Sequence, residues 1–401
     1  MSAARRRLDS WPTREQEWLL RATLLRGPRA REAWGQWKAG ADLDHLDAGS
    51  YRLLPQLYQN LHRHGVDEPV LALFRGVYLR TWYENQLRLH QIAGLLRSFR
   101  DARIDTIVLK GAALTVLYYK DNGVRPMHDI DLLVHEGAVE KAIELVRAAK
   151  FAFWPEIPPP PHAYTFQDAD GRQVDLHWGV FADNPLRVSD DPIWDGAVPI
   201  TVRGASVLAL NPSDQLFHVC AHGASWNRVP TIRWVADAMA ILEAAASAVD
   251  WDRVRTQAQT RRLTLPLRDA LGYLRDVFDA PIPDSILTGL RRARTSVGER
   301  MAYAASTQSS ELRGPWLSLY DLYRSHCAHL PAEASALRKL AGFPRFLQRT
   351  WGAGHVWELP AVGAVKVLRW TGRVASRHRR RRATPGHRVD RLPRDLVRSG
   401  R

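Results

Sequence analysis

The chain has 401 residues, 45% of them hydrophobic and 25% charged, enough for two or three globular domains. No run of about 18 uncharged apolar residues occurs, and the basic N-terminus lacks an apolar core, so neither a membrane-spanning helix nor a secretory leader is expected. Cys220 and Cys327 are the two cysteines, too few for a disulfide framework or a Cys-based zinc site, which fits a reducing, cytoplasmic setting. The net charge of +15 is uneven, because residues 371–401 hold eleven Arg against two Asp.

Residues 1–105 read as a helical subdomain. Thr13 stands three residues before Gln16, a capping-box pattern that starts a helix. Leu53, Leu57, Tyr58 and Leu61 fall at helical spacing, and residues 72–100 carry the apolar stripe Leu87, Leu89, Ile92, Leu95 and Leu96.

The period changes over residues 106–210. We read strands at 106–109, 129–134, 151–154, 163–167, 172–180 and 206–210, with helices at 112–119 and 137–149. Pro158–Pro161 is a rigid extended connector, and Asp168–Gly171 makes a hairpin turn. The helical period returns over 211–350, with helices expected at 212–223, 231–246, 251–260, 264–278 and 283–304. Residues 351–401 form a basic tail, with 371–401 expected to be disordered or only conditionally ordered. The fold class is α+β: a small mixed sheet flanked by N- and C-terminal helical subdomains.

The chemistry concentrates between Thr106 and Val134. An apolar strand meets a Lys110–Gly111 turn, and a second strand begins Asp129-Ile-Asp131-Leu-Leu-Val134. Side chains alternate along a strand, so Asp129 and Asp131 share a face. Two carboxylates at that spacing repel unless a cation lies between them. Asp175, in the alternating run Val174-Asp-Leu-His-Trp178, is the candidate third acid. Three such acids can hold two Mg²⁺ ions that activate an attacking hydroxyl and stabilise a leaving pyrophosphate. Gly111 offers backbone N–H groups to phosphate, and Lys110 and Arg125 offer positive charge. Arg125 has a structural alternative, a salt bridge to Asp129 or Asp131. His177 shares the strand face of Asp175. His218 and His222 share a helical face, read as helix packing or one wall of a cleft.

These motifs together resemble the nucleotidyltransferase superfamily with the DNA polymerase beta-like fold. More narrowly, the chain resembles an uncharacterised bacterial nucleotidyltransferase family through Leu109-Lys110-Gly111, Arg125, Asp129–Val134 and Val174–Trp178, over roughly residues 50–260. The resemblance implies that Asp129, Asp131 and Asp175 are catalytic metal ligands. It also implies that the turn at Lys110, Gly111 and Ala112 binds the phosphates of ATP or another NTP. Ala112 stands where the superfamily usually has Ser or Gly. The implied function is Mg²⁺-dependent transfer of a nucleoside monophosphate to an unidentified acceptor. The other reading is a weak or inactive binding module of the same fold. The Arg379–Arg382 cluster reads either as a solvated tail with no partner or as a tether to a polyanion, nucleic acid or an anionic membrane surface.

Overall fold

The structure is a computed structural model that describes residues 11–154, 162–181, 188–224, 232–308, 313–331 and 334–383, with side chains as far as Ser376. Helices α1 (Arg14–Leu24), α2 (Gly27–Gly40), α3 (Ala48–Tyr51), α4 (Leu54–Arg63) and the 32-residue α5 (Val70–Asp101) come first. The capping box forms as expected. Thr13 Oγ1 accepts from the Gln16 backbone N–H at 3.2 Å, and Gln16 Oε1 accepts from that of Thr13 at 3.0 Å.

The middle of the chain runs through β1 (Thr106–Val108), α6 (Lys110–Leu114), a π-helical turn Thr115–Tyr119, β2 (Asp129–Val134), α7 (Val139–Ala148), β3 (Ala152–Phe153), β4 (Ala163–Gln167), β5 (Gln173–His177), α8 (Asp191–Asp195), β6 (Val198–Val202) and β7 (Ala205–Ala209). The seven strands make one mixed sheet in the order β3-β4-β5-β2-β1-β7-β6. Pairs β2–β5 and β1–β7 are parallel, and the others are antiparallel.

Sheet alternation sorts the side chains. Val108, Ile130, Leu132, Val134, Val174 and Leu176 enter the core shared with α5 and α7. Ile107 and Leu133 go to the opposite face, where a smaller apolar cluster includes Ile193 of α8. Asp129 and Asp131 lie on that second face by the same alternation. Burying the helix-covered side of β2 and β5 therefore fixes where the carboxylates point. A one-residue slip in either strand would reverse it.

Helices α9 (Pro212–Gly223), α10 (Arg233–Ala245), α11 (Trp251–Thr260), α12 (Thr264–Phe278) and α13 (Asp284–Arg292) pack with α1, α2 and α4 in the largest core. Then follow α14 (Val297–Ser306), α15 (Pro315–Ala328), α16 (Ala336–Trp351) and α17 (Leu359–Ala383). The expected helices at 212–223, 251–260 and 264–278 match.

The structure departs from the expected elements in four places. The single helix expected at 283–304 is two, because the Ser296 side chain caps a new start by accepting from the Glu299 backbone N–H at 3.1 Å. Strand β6 escaped the sequence reading because Pro199 lies inside it. The proline is tolerated because β6 is an edge strand. The helix expected at 112–119 changes winding at Thr115. Residues 371–383, expected to be disordered or only conditionally ordered, continue helix α17. Residues 384–401 and the Pro158–Pro161 connector lie outside the described residues.

Candidate active site

Parallel pairing of β2 and β5 sets Asp131 directly opposite Asp175, Asp129 opposite Gln173, and Leu133 opposite His177. Asp131 is the hub of the site. Its Oδ1 accepts from Lys110 Nζ at 2.5 Å and lies 3.0 Å from His177 Nε2. Ligand atoms of Asp131, Asp175 and His177 all fall within 4.8 Å of one another, the one such three-donor group among the described residues. The three expected acids therefore divide. Asp131 and Asp175 meet, His177 joins them, and the carboxyl of half-buried Asp129 is not part of the cluster.

The electrostatics separate the two central acids. Asp131 is only 1% exposed. Burial opposes its charge, but Lys110 and His177 hold its carboxyl well below the usual carboxylate range. Asp175 moves the other way, raised by burial and by the neighbouring Asp131 charge. Its Oδ1 is buried with no hydrogen-bond partner. Two carboxylates, one of them with an unpartnered oxygen, and an imidazole are a donor set that fits a divalent cation.

The turn beside this cluster is tight. Lys110 has φ +46°, a left-handed conformation that costs a non-glycine residue roughly 1–2 kcal/mol. That conformation bends the chain from β1 into α6 and places the ammonium over Asp131. Lys110 thus contacts a carboxylate within the protein. Gly111 is required by close approach, since a Cβ there would lie 2.6 Å from Arg125 Nη1 and 3.0 Å from Met127 Cγ. Ala112 is 1% exposed and belongs to the core under the sheet. Its methyl group packs inward, so only backbone at this position is available to a ligand.

Arg125 is 5% exposed and forms a salt bridge, with Asp237 of α10 rather than with Asp129 or Asp131. Its Nε and Nη2 donate to the two Asp237 oxygens at 2.7 and 2.9 Å, and the Tyr119 hydroxyl adds a third bond at 2.9 Å. Arg125 thus ties the turn, the segment before β2 and α10 together.

Arg52 and Arg233 flank this pair. Burial lowers the pKa of Arg52, with Asp129 pulling it up and Arg125 pushing it down. Burial, with Arg125 next in weight, pushes Arg233 down to about 10. Arg233 donates to the Pro126 carbonyl at 2.7 Å. Arg52 makes no side-chain hydrogen bond or ion pair among the described residues. Positive charge therefore exceeds its carboxylate partners on the side of the cluster nearest Asp129.

Several of these residues carry no local signal in the sequence. Asp237 lies 112 positions from Arg125, and nothing around it sets it apart from an ordinary helix acid. His218 is buried, with both ring nitrogens unpartnered, and stands within 5.8 Å of the His222 ring. His162 reaches the site from the other side, its ring 5.8 Å from that of His177. His162 also lines a cavity of about 340 Å³ with Trp178, Phe181, Asp190 and Trp194.

A strand–turn–helix whose next strand presents a buried carboxylate, paired in register with a second carboxylate on a parallel neighbour, is the arrangement of a nucleotidyltransferase fold. A family model described as uncharacterised nucleotidyltransferase matches residues 48–279, and the chain belongs to that family. No curated protein matches the chain. Two solved structures are distantly similar. The solution structure of the antibiotic-resistance factor ANT(2'')-Ia is 13% identical with a TM-score of 0.33, over 45% of this chain and 96% of that one. The crystal structure of an antigenic nucleotidyltransferase-like protein from Paracoccidioides brasiliensis is 18% identical with a TM-score of 0.35, over 50% of this chain and 95% of that one. The family assignment rests on the family model and not on these two.

Proposed function

We propose that the protein transfers a nucleoside monophosphate from an NTP to a hydroxyl-bearing acceptor, with release of pyrophosphate. The observation that carries this reading is the register of Asp131 against Asp175, with His177 closing the donor cluster. Asp131, Asp175 and His177 would hold a divalent cation such as Mg²⁺, with Asp129 at the rim. A cation bound there would neutralise charge on the transferred phosphate and acidify the acceptor hydroxyl.

The protein's own groups divide the remaining work. Lys110 holds Asp131 ionised and in place. Asp175, beside Asp131 at the cation, would accept the proton of the acceptor hydroxyl. The excess positive charge of Arg52 and Arg233 suits the triphosphate, with Gly111 and Ala112 contributing backbone N–H groups and Arg125 supporting the turn from below. The His162-lined cavity suits the acceptor, because it adjoins the metal cluster through the neighbouring His177 ring.

The test is pyrophosphate release with each NTP and Mg²⁺ or Mn²⁺ across a panel of hydroxyl acceptors, comparing wild type with Asp131→Asn. Calorimetric titration of metal and nucleotide accompanies it. Release and binding that both disappear in the variant support the reading. Wild-type failure to bind any NTP in the presence of metal refutes it.

A further inference from the structure

The C-terminal helices α15–α17 leave apolar surface uncovered on an unusual scale. Trp316 is 80% exposed, Trp357 76% and Leu368 70%. On α17 the exposed residues Ala361, Ala364, Val365 and Leu368 follow the i, i+3, i+4, i+7 spacing of one helical face. On α16, Leu337 and Leu340 are also exposed, three residues apart. Between α15 and α17 runs a groove of about 920 Å³ whose walls include Trp316, Leu319, Trp351, Val367 and Trp370.

The same segment is strongly basic. From Ala336 to Ala383 there are twelve Arg or Lys residues and one acid, Glu358. Lys366 and Arg373 line the groove, and the Lys366 ammonium stands 5.4 Å from the centre of the Trp351 ring. Arg313, also at the groove, is paired with Asp321.

The partner must accept both properties. A second copy of this surface brings the same positive charge and is repelled. Residues 384–401 hold five Arg against two Asp and are repelled as well. A nucleic acid answers the charge and can stack on Trp, but it does not bury exposed Leu and Val side chains. An anionic bilayer answers both, with headgroup phosphates for the Arg and Lys residues and acyl chains for the apolar stripe. Tryptophan is also the side chain that favours the headgroup boundary. No helix among the described residues is long and apolar enough to cross a membrane, so contact is with the surface.

We propose that α15–α17 form a membrane-surface docking module that seats the protein on anionic phospholipid, with the α17 stripe at the acyl boundary. This inference is independent of the catalytic reading.

The full-length protein is floated with vesicles of phosphatidylcholine containing phosphatidylglycerol, and with pure phosphatidylcholine vesicles. Three proteins are compared: wild type, Val365→Asp/Leu368→Asp and Lys366→Glu/Arg369→Glu, each checked by circular dichroism. The changed side chains are exposed in the structure, so folding should be retained. Wild type should float only with the anionic vesicles. The apolar-stripe variant should bind on the order of tenfold more weakly or worse. The charge variant should lose about fivefold per basic residue removed and become less sensitive to salt.

Any of the following results would overturn the proposal. One is absence of wild-type flotation, or anionic flotation unchanged in the stripe variant. Another is salt-sensitive binding to duplex DNA or RNA, unaffected by the stripe change, with no vesicle binding, which would make this a nucleic-acid surface. The third is a dimer by light scattering that the stripe change dissolves and vesicles do not affect. Pyrophosphate release by the soluble protein is a separate readout, so failure here leaves the catalytic reading standing.

Discussion

Replacing Asp237 by Asn is the sharpest test of how the site is held. Arg125 and Asp237 side chains are 5% and 7% exposed, and the carboxylate accepts two bonds from the guanidinium and one from Tyr119. Removing the charge leaves Arg125 ionised in the interior, beside a second guanidinium at Arg233. Breaking one side of such a buried pair costs about 3–5 kcal/mol, a large part of the roughly 5–15 kcal/mol that stabilises a typical domain. Replacing both partners, as Arg125→Met/Asp237→Leu, removes the stranded charge and should recover most of that loss. Urea unfolding followed by tryptophan fluorescence and circular dichroism measures Asp237→Asn and the double variant, with the Arg125→Met and Asp237→Leu single variants completing the cycle. A loss below about 1 kcal/mol in Asp237→Asn would refute the clamp. If the double variant regains stability but no longer binds nucleotide, Arg125 also touches phosphate, as the sequence reading expected.

Four further outcomes follow from the same geometry. Arg125 overcomes the burial of Asp237 and lowers its pKa, so the folded value lies below the unfolded value of about 3.9. The stability it contributes is complete above that value and is lost as pH falls through the folded one, which acid titration of wild type against the double variant will show. Gly111→Ala drives a methyl group toward Arg125 and Met127 and should destabilise by about 1–3 kcal/mol, measured by thermal melting. His177→Asn should weaken Mn²⁺ binding by about 10–100-fold in a calorimetric titration, whether the imidazole binds the ion or orients Asp131. Asp129→Asn should weaken binding of metal alone less than Asp131→Asn does, because Asp129 lies outside the donor cluster.

Much of the local structure was legible in the sequence because it depends on short-range patterns. The Thr13–Gln16 box, the 3.6-residue period of α9, α11 and α12, and the alternation of β2 and β5 are decided within a few residues. Alternation also placed Asp129 with Asp131, and His177 with Asp175, on common strand faces. The ends of elements were less legible, as with the Ser296 break and the Pro199 edge strand. Capping there competes with periodicity, and the cost of proline depends on whether a neighbouring strand exists.

The order of residues alone supplies an inventory: a Lys-Gly turn, alternating acids, a later Asp-Leu-His, and a basic C-terminal segment. Which of these meet is set by the packing of strands and helices. Register between β2 and β5 brings Asp175 to Asp131 across 44 positions of chain and leaves Asp129 outside the cluster. Helix α10 delivers Asp237 to Arg125, a salt-bridge partner that the sequence did not single out. Lys110 closes onto Asp131 because the left-handed turn aims it there. The physical reason is the same in each case. Periodicity reports which face a side chain occupies, while ion pairing and metal ligation depend on distances of a few ångströms that strand order and helix packing alone set.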